Sequence, residues 1–502
     1  MNRRIVNAES PPTVPTTASR TASSYSPHLR TALVLTGTGT AGAYHAGVLR
    51  ALHEAGVKVD LVAGRGIGAV GAAFAAVDGA AQLWEPAGLW SVPSAKRLYR
   101  WRPALRAAAC ILGGALGVLV LPLGVVVLGA LVYPLAYLLR VVGLDGGAWL
   151  ATGFGQLVES VFAPAALPIW LPRLVVAGLA LLLAVVAGSA GLGWKRARDQ
   201  RRSRGTLWWV LLGAPLDVGR ARGWFADGLW KLMRGAASVA RPGPVDLGRR
   251  YAELLSENLG QPGFRELLVT AHDLDARRDL VFALLSEPYR RRFFQRQSGE
   301  SAGDRQLEAF DLAGSARRHG FDVFAAALSL PVATEPWLVR FTSGSSWRGE
   351  THRVCDRPDA VGRLLDEVAQ AGADQVILVS ALPGPTGPHS LRAGRRDGRG
   401  RIGEALSAME SAAVGDAVRS RAGLFQAVFE IQPVHNPLGP FDFMGCYDER
   451  SDREQSVAEL LARGYDDGHR QFVVPVVGAS GEQIEPVPLP RMAARVPGLD
   501  DS

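Results

Sequence analysis

The sequence of 502 residues predicts an α/β fold, an open and mostly parallel sheet with helices on both faces, interrupted by a transmembrane helical hairpin. Three observations predict this class. A short apolar run, a glycine-rich turn and a helical pattern occur twice in succession between residues 31 and 77. Two long apolar segments follow, and from residue 243 the strand and helix patterns return. Alternating strands and helices are typical of parallel sheets, and long apolar segments are typical of membrane spans.

The elements of the α/β part are predicted from the spacing of apolar residues. Short continuous apolar runs indicate buried strands, and apolar residues at intervals of three and four indicate helices. The predicted strands are Thr31–Thr36, Leu61–Ala63, Phe264–Thr270 and Gln375–Ser380. The predicted helices are Gly42–Gly56, Ala69–Val77, Val361–Ala371 and Glu454–Arg470.

The chain is too long for one compact core, so several segments are expected. Residues 1–29 are rich in Ser, Thr and Pro and predict a disordered tail. Residues 30–100 and 243–475 are predicted to form one α/β domain, interrupted by a membrane insertion at residues 101–242. Residues 476–502 are predicted to be a C-terminal tail.

Two apolar segments within the insertion are predicted to span a membrane. Ala107–Leu139 has 33 residues without a charge. As a helix this segment would be about 50 Å long, more than a bilayer core of roughly 30 Å requires. Pro122 and Pro134 within it allow either one long span or a kinked span with an interfacial extension. The second segment, Leu167–Trp194, carries only Arg173.

The charges around these segments predict the topology. Basic clusters at residues 96–106 and 195–204 flank the apolar region. By the positive-inside rule, both ends of the region and the globular domain are expected on the cytoplasmic side of a multi-pass membrane protein. The segment between the two spans, which contains Asp145 and Glu159, is predicted to be a loop on the opposite side.

Composition narrows the class of partner. The formal net charge is +8, but the basic residues flank the apolar region and form no nucleic-acid-binding motif. Membrane lipid, and not nucleic acid, is therefore the predicted partner. The three cysteines, Cys110, Cys355 and Cys446, are too widely spaced for a CxxC metal site or a disulfide framework. We predict no metal and no cofactor, and the sequence identifies no protein partner.

Two glycine-rich turns carry the candidate chemistry. Gly37–Gly42 (GTGTAG) matches the dinucleotide-binding pattern GxGxxG, and Asp60 offers a carboxylate for a ribose. That pattern needs its acid after the second strand, however, and Asp60 precedes it. The second turn, Gly64–Gly68 (GRGIG), has the strand-to-helix position of a nucleophile elbow. The backbone N–H groups of the first turn would then form an oxyanion hole. Dinucleotide binding is kept as a remote alternative.

The two turns together resemble the opening of the patatin-like phospholipases, a family of lipid acyl hydrolases. The resemblance is carried by LVLTGTGTAGAYHAGVLRALHEAGVKVDLVAGRGIGAVGAAFAA, which begins at Leu33. Downstream, FRELLVTAHDLDARRDLVF resembles the central strand of the family and the segment after it. Asp356 stands 16 residues before Gly372, a spacing similar to that between the catalytic Asp of the family and its following strand.

The resemblance implies a patatin-like α/β fold and a Ser–Asp dyad, in which the Asp accepts the proton of the attacking serine. The dyad positions in this chain are Gly66, in place of the nucleophilic serine, and Asp356. The implied oxyanion hole is formed by Gly37, Thr38, Gly39 and Gly42.

Three departures from the family pattern predict a pseudoenzyme. Gly66 has no side chain, Ala41 replaces the loop arginine, and Asp356 is followed by Arg357-Pro358 in place of two small residues. Loss of the nucleophile removes most acyl-transfer catalysis. We therefore predict a membrane-anchored protein that binds acyl lipids without hydrolysing them. The alternative is an active hydrolase with a substitute nucleophile, either Thr38 or Thr40, or a water molecule activated by Asp356.

Overall fold

The computed structural model describes residues 25–144, 146–163, 167–199, 213–235, 237–295, 305–385, 387, 394, 397–448 and 450–477. The chain divides into two compact units. The first unit contains the chain up to Leu98, Val218–Pro331 and the chain from Pro336. The second unit contains Tyr99–Asp217 and Val332–Glu335.

The strands are β1 (Thr31–Thr36), β2 (Leu61–Gly64), β3 (Arg100–Trp101), β4 (Leu216–Asp217), β5 (Glu266–Asp273), β6 (Arg278–Leu284), β7 (Ala309–Asp311), β8 (Trp337–Arg340), β9 (Thr351–Cys355), β10 (Gln375–Ser380), β11 (Ala427–Ile431), β12 (Cys446–Asp448) and β13 (Arg453–Gln455). The α-helices are α1 (Ala41–Glu54), α2 (Gly68–Ala75), α3 (Ala81–Trp84), α4 (Pro103–Val141), α5 (Gly146–Phe162), α6 (Leu167–Asp199), α7 (Gly219–Arg234), α8 (Pro244–Asn258), α9 (Tyr289–Phe294), α10 (Asp322–Ala327), α11 (Val361–Gln370), α12 (Gly398–Arg421) and α13 (Val457–Gly468). Short 3-10 helices span Pro93–Arg97, Arg317–His319 and Ala422–Leu424, and a π-helix spans His469–Val477.

The first unit is built on a nine-stranded sheet. Its main path runs in the order β11-β10-β1-β2-β5-β6-β7, and β9 pairs with β5 and with β8. The strands from β11 to β5 are parallel, whereas β6 and β9 run antiparallel to β5. This arrangement confirms the predicted mostly parallel α/β class. The antiparallel strands β6, β8 and β9 were not predicted as such.

Helices cover both faces of the sheet. Ala32 and Val34 of β1 pack against α11 and α12 in one core cluster. Leu35 points to the opposite face, as alternation along a strand requires, and a Cβ built on Gly71 of α2 would stand 2.8 Å from its side chain. Burial on both faces is the reason that β1, β2 and β10 are continuous apolar runs.

The parallel arrangement places the two glycine turns at one edge of the sheet. β1 and β2 are neighbours that run in the same direction, so their carboxyl ends lie side by side. The chain leaves β1 into Gly37–Gly42 and then α1, and it leaves β2 into Gly64–Gly68 and then α2. The order of the elements along the chain therefore brings both glycine turns to the same edge of the sheet.

Two predicted boundaries differ from the extent of the first unit. Tyr25, within the predicted tail, is buried, and its hydroxyl donates a hydrogen bond to the carbonyl of Lys58; residues 1–24 of that tail lie outside the described residues. Helix α7, within the predicted insertion, belongs to the same unit as the sheet. Its buried residues include Trp224, Phe225 and Leu229, which form an apolar stripe along the helix.

The second unit contains the two apolar segments as helices. α4 and Pro172–Ser189 within α6 are long and apolar enough to cross a membrane, and little or none of either is buried within the protein. Leu and Val side chains along α4 are exposed on most of its surface, including Leu123, Leu131 and Leu138. The predicted helical character of both segments is confirmed; their insertion into a membrane remains a proposal.

The prediction of a loop between the two spans is wrong, because helix α5 occupies Gly146–Phe162. Glu159 lies in helix α5, while Asp145 is outside the described residues. Helix α5 packs closely against α4 at Gly147, where a Cβ would stand 2.4 Å from the Ala136 carbonyl oxygen. The rings of Tyr133 on α4 and Phe154 on α5 also meet edge to face.

Candidate active site

The glycine loop and the elbow contact each other through their backbones. The N–H of Ile67 donates to the carbonyl of Gly37 at 3.0 Å. Gly39 and Gly66 have φ values of +60° and +54°, in the left-handed region that glycine adopts without steric penalty. The elbow therefore has the left-handed backbone turn of a nucleophile elbow, although the residue at its tip, Gly66, has no side chain.

Asp356 lies directly beside the tip of the elbow. It follows β9, and its N–H donates to the carbonyl of Ser329 at 2.7 Å. A Cβ built on Gly66 would stand 2.9 Å from Oδ2 of Asp356. The structure thus brings together the two positions that the family resemblance assigns to a catalytic dyad.

Arg65, the residue before the tip, binds Asp356 with both sides of its guanidinium. Nε donates to Oδ1 at 3.2 Å, and Nη2 donates to Oδ2 at 2.6 Å. Each side chain is only 1% exposed. Both oxygens of the candidate base are therefore occupied by a bidentate, charge-assisted pair.

A second carboxylate completes a buried cluster. Glu410, on α12, forms an ion pair with Arg65, in which Nη1 of Arg65 lies 2.9 Å from Oε1 of Glu410. The Glu410 side chain is also 1% exposed. The hydroxyls of Thr36 and Thr38 donate to its two oxygens at 2.8 and 3.2 Å. We call Arg65, Asp356 and Glu410 the buried ion cluster. With one positive and two negative groups, its formal charge is −1 when both carboxyls are ionised.

The surroundings shift the ionisation of these groups. Burial raises the pKa of the Glu410 carboxyl, and the nearby positive charge of Arg65 opposes this only in part. Burial alone would lower the pKa of Arg65, but the charges of Asp356 and Glu410 raise it above its ordinary value. The guanidinium is therefore permanently charged, and Glu410 takes up a proton more readily than an ordinary glutamate does.

The glycine loop is covered by another part of the chain. The N–H of Thr40 donates to the carbonyl of Pro440 at 3.0 Å, and a Cβ on Gly39 would stand 1.7 Å from that same oxygen. A Cβ on Gly42 would stand 2.1 Å from the ring of Trp90. A carbonyl oxygen of the protein thus accepts a hydrogen bond from the loop that would stabilise an oxyanion or bind a dinucleotide pyrophosphate.

The two candidate substitute nucleophiles are both engaged. The Thr38 hydroxyl donates to Glu410, and the Thr40 hydroxyl donates to the carbonyl of Gly439 at 2.8 Å. Both residues are buried. Neither hydroxyl points to open space next to a free base, which is the arrangement that activation of a nucleophile requires.

The remaining departures from the family pattern have structural consequences. Ala41 is buried against Gly37, where a Cβ would stand 2.5 Å from the Ala41 Cβ. Arg357 does not enter the site, because its guanidinium binds Asp279 at 2.7 Å and Asp359 at 3.1 Å. His45 of α1 is fully buried, and burial lowers its pKa to about 4, so its neutral ring donates to the carbonyl of Thr36.

Within the part of the chain that the structure describes, no group of three or more His, Cys, Asp or Glu side chains is arranged to hold a metal ion.

Arg65 and Glu410 were missed by the sequence analysis. Glu410 has a detectable signal, because it falls on the helical spacing of the buried residues Leu406, Val414 and Ala417. A carboxylate on an otherwise apolar helix face indicates a buried partner. Arg65 has a comparable signal, since a long charged side chain between two elbow glycines must be accommodated at the buried edge of the sheet.

The geometry defines an α/β protein that carries a glycine loop and a nucleophile-elbow turn at one edge of a mostly parallel sheet. A model of the patatin-like phospholipase family matches residues 33–117, which contain both turns. This match confirms the family resemblance predicted from that segment. The second segment of the resemblance, from residue 264, lies outside the match.

Among solved structures, the crystal structure of VipD from Legionella pneumophila is similar to this chain at 13% sequence identity and a TM-score of 0.28. The alignment covers 90% of this chain and 67% of that one. No curated protein sequence matches the chain.

Proposed function

We propose that this chain is a membrane-anchored protein of the patatin-like fold that binds acyl lipid and does not hydrolyse it. The observation that carries the proposal is the bidentate pair between Arg65 and Asp356 beside a side-chain-free elbow. To accept the proton of a nucleophile, Asp356 would have to give up the negative charge that pairs with the buried guanidinium of Arg65, and this would weaken the ion pair. The nucleophile itself is absent at Gly66.

The closed glycine loop supports the same conclusion. An oxyanion hole acts only if its donors are free to meet the negative charge that develops in the transition state. Thr40, which follows the implied oxyanion-hole residue Gly39, donates its N–H to the Pro440 carbonyl, and a Cβ on Gly39 would stand 1.7 Å from the same oxygen, so this carbonyl covers the loop at Gly39. To bind at this loop, a substrate carbonyl would have to displace the Pro440 carbonyl, which belongs to the same chain.

The second unit supports membrane anchoring. Two of its helices have the length and composition of membrane spans, and their apolar side chains are exposed. A helix with apolar residues on its whole circumference requires an apolar environment on all sides, which a bilayer supplies. The basic clusters that flank the region in sequence favour a multi-pass arrangement with the α/β unit on the cytoplasmic side.

Activity-based labelling tests the non-hydrolytic proposal. The full chain, purified in a neutral detergent, is incubated with a fluorophosphonate probe beside an active serine hydrolase in the same detergent. We expect no labelling of the wild-type chain and no release of fatty acid from phospholipid. Labelling mapped to Thr38, Thr40 or another residue of the chain would refute the proposal and favour an active hydrolase.

A further inference from the structure

A cavity of about 540 Å³ lies in the first unit, and none of its lining residues belongs to the two glycine turns. This volume is within the range of roughly 300–1,000 Å³ that is usual for small-molecule sites. Its apolar wall is formed by Phe74, Leu89 and Trp224. Trp224 is fixed in place, because its indole N–H donates to the Leu89 carbonyl at 3.0 Å and its ring meets Trp90 edge to face.

Three basic side chains line the same cavity: Arg97, Arg220 and Lys231. All three are exposed, so their charged ends meet solvent. The acidic residue of the lining, Asp227, is paired with Arg241 at 2.5 Å. The charge available to a ligand is therefore positive, above a wall that is apolar.

The cavity is lined by the segments that come before and after the apolar region in the sequence. Arg97 precedes the start of α4 at Pro103 by six residues, and Arg220 follows the end of the Tyr99–Asp217 segment by three. If α4 spans a bilayer, as proposed above, Arg97 is joined by a short segment to the start of a span. Basic residues next to membrane spans attract anionic lipid head groups.

We propose that this cavity binds an anionic phospholipid, with its phosphate on Arg97, Arg220 and Lys231 and the start of an acyl chain against Phe74, Leu89 and Trp224. The proposal rests on the proposed function and gives lipid binding a site separate from the closed elbow. The three cations would bind the phosphate of the lipid. The apolar wall would bind its acyl chain, which inorganic phosphate lacks. Such a division between apolar wall and few polar groups is general for ligand sites.

Native mass spectrometry of the full chain in neutral detergent measures the bound lipids directly. The probes are oleoyl lysophosphatidic acid, oleoyl lysophosphatidylcholine and inorganic phosphate. We expect the wild type to bind one lysophosphatidic acid about tenfold more tightly than lysophosphatidylcholine, because three exposed charge pairs contribute modestly each. Replacement of Arg97, Arg220 and Lys231 together by Gln should remove this preference and leave the weaker binding of lysophosphatidylcholine unchanged.

A second variant changes the apolar part of the cavity without removing a charge. A Cβ on Gly223 meets nothing within 4 Å, so Gly223→Leu can fill the cavity from α7, and Leu is a better helix former than Gly. We expect Gly223→Leu to weaken the binding of both lipids and Gly223→Ala to have a smaller effect. The matched charge control replaces Arg291, Arg292 and Arg318, exposed residues outside the cavity, by Gln; it should bind as the wild type does.

The outcomes separate the site from the function. Undiminished lipid binding in both the triple-Gln and the Gly223→Leu variants would overturn the cavity proposal, yet would still agree with lipid binding elsewhere on the chain. Displacement of lysophosphatidic acid by an equal concentration of inorganic phosphate would overturn the assignment of a lipid ligand. A wild type that binds neither lipid would overturn both the site and the proposed function.

Discussion

Restoring a serine at the elbow tests whether the site has lost only its nucleophile. In Gly66→Ser, the new Cβ would stand 2.4 Å from the Gly37 carbonyl oxygen and 2.9 Å from Oδ2 of Asp356. The first of these contacts is with backbone, which cannot rotate away. The variant must therefore shift the glycine loop or the elbow before its hydroxyl can be presented to a substrate.

The size of the effect follows from two contributions. A non-glycine residue in the left-handed region costs roughly 1–2 kcal/mol, and Gly66 has φ +54°. Overpacking against a fixed neighbour costs about 1–3 kcal/mol. Together these give a destabilisation of about 2–5 kcal/mol, a large part of an ordinary folding free energy of about 5–15 kcal/mol.

Fluorophosphonate labelling and thermal denaturation of the same preparations provide the assay. Gly66→Ala is the matched control, because it adds the same Cβ without the hydroxyl. We expect both variants to melt at a similar, lower temperature than the wild type, and neither to be labelled, since Arg65 still holds both oxygens of Asp356. Rapid labelling of Gly66→Ser at position 66 would refute this reasoning, because it would mean that Asp356 acts as a base while paired.

Three further predictions concern the buried ion cluster and the topology. Arg65→Gln leaves Asp356 and Glu410 without their cation, so we expect a loss of about 3–5 kcal/mol in the free energy of unfolding, seen as a large fall in melting temperature; a wild-type melting temperature would show the cluster to be unimportant for stability. Because the folded pKa of Glu410 is raised, its stabilising contribution is complete below the unfolded pKa of about 4.3 and is lost as pH rises through the folded value. Relative to Glu410→Gln, the wild type should therefore become less stable as pH rises from the unfolded pKa through the raised folded pKa of Glu410, and a difference independent of pH would contradict this. Reporter fusions near residues 150 and 300 should lie on the far and cytoplasmic sides respectively, and the reverse order would overturn the proposed topology.

The parts of the fold that the sequence predicts well are those whose signal is local. β1 and β10 coincide with their predicted bounds, because each is a continuous apolar run buried on both faces. The pairing of β9 with β5 could not be predicted in the same way, since it joins His272 to Cys355, which are far apart in the sequence. Helix α5 was not predicted, and its packing against α4 at Gly147 and Phe154 depends on residues outside its own segment.

The candidate site shows the same division. Gly66 and Asp356 were paired from sequence by resemblance, and the structure places them beside each other. The partner that holds Asp356 could not be inferred with the same means, because Arg65 and Glu410 are separated by 345 positions in the sequence and meet only when α12 packs at the sheet edge. Comparison with the family motif shows that position 66 differs from the family pattern. It does not show the contacts that neighbouring side chains such as Arg65 make as a result.

Those new contacts explain why the elbow keeps a strained turn that has no nucleophile to present. A Cβ on Gly68 would stand 2.1 Å from the Leu35 carbonyl oxygen, so the close approach of α2 to β1 itself demands this backbone path. The same path carries Arg65 into the sheet edge, where it neutralises one of two buried carboxylates that would otherwise repel each other. The geometry of the elbow thus serves packing and charge pairing, two roles that need no hydroxyl at position 66. Restoration of catalysis should therefore require release of Asp356 from Arg65 as well as a serine, and the single variant Gly66→Ser is the direct test of that order of events.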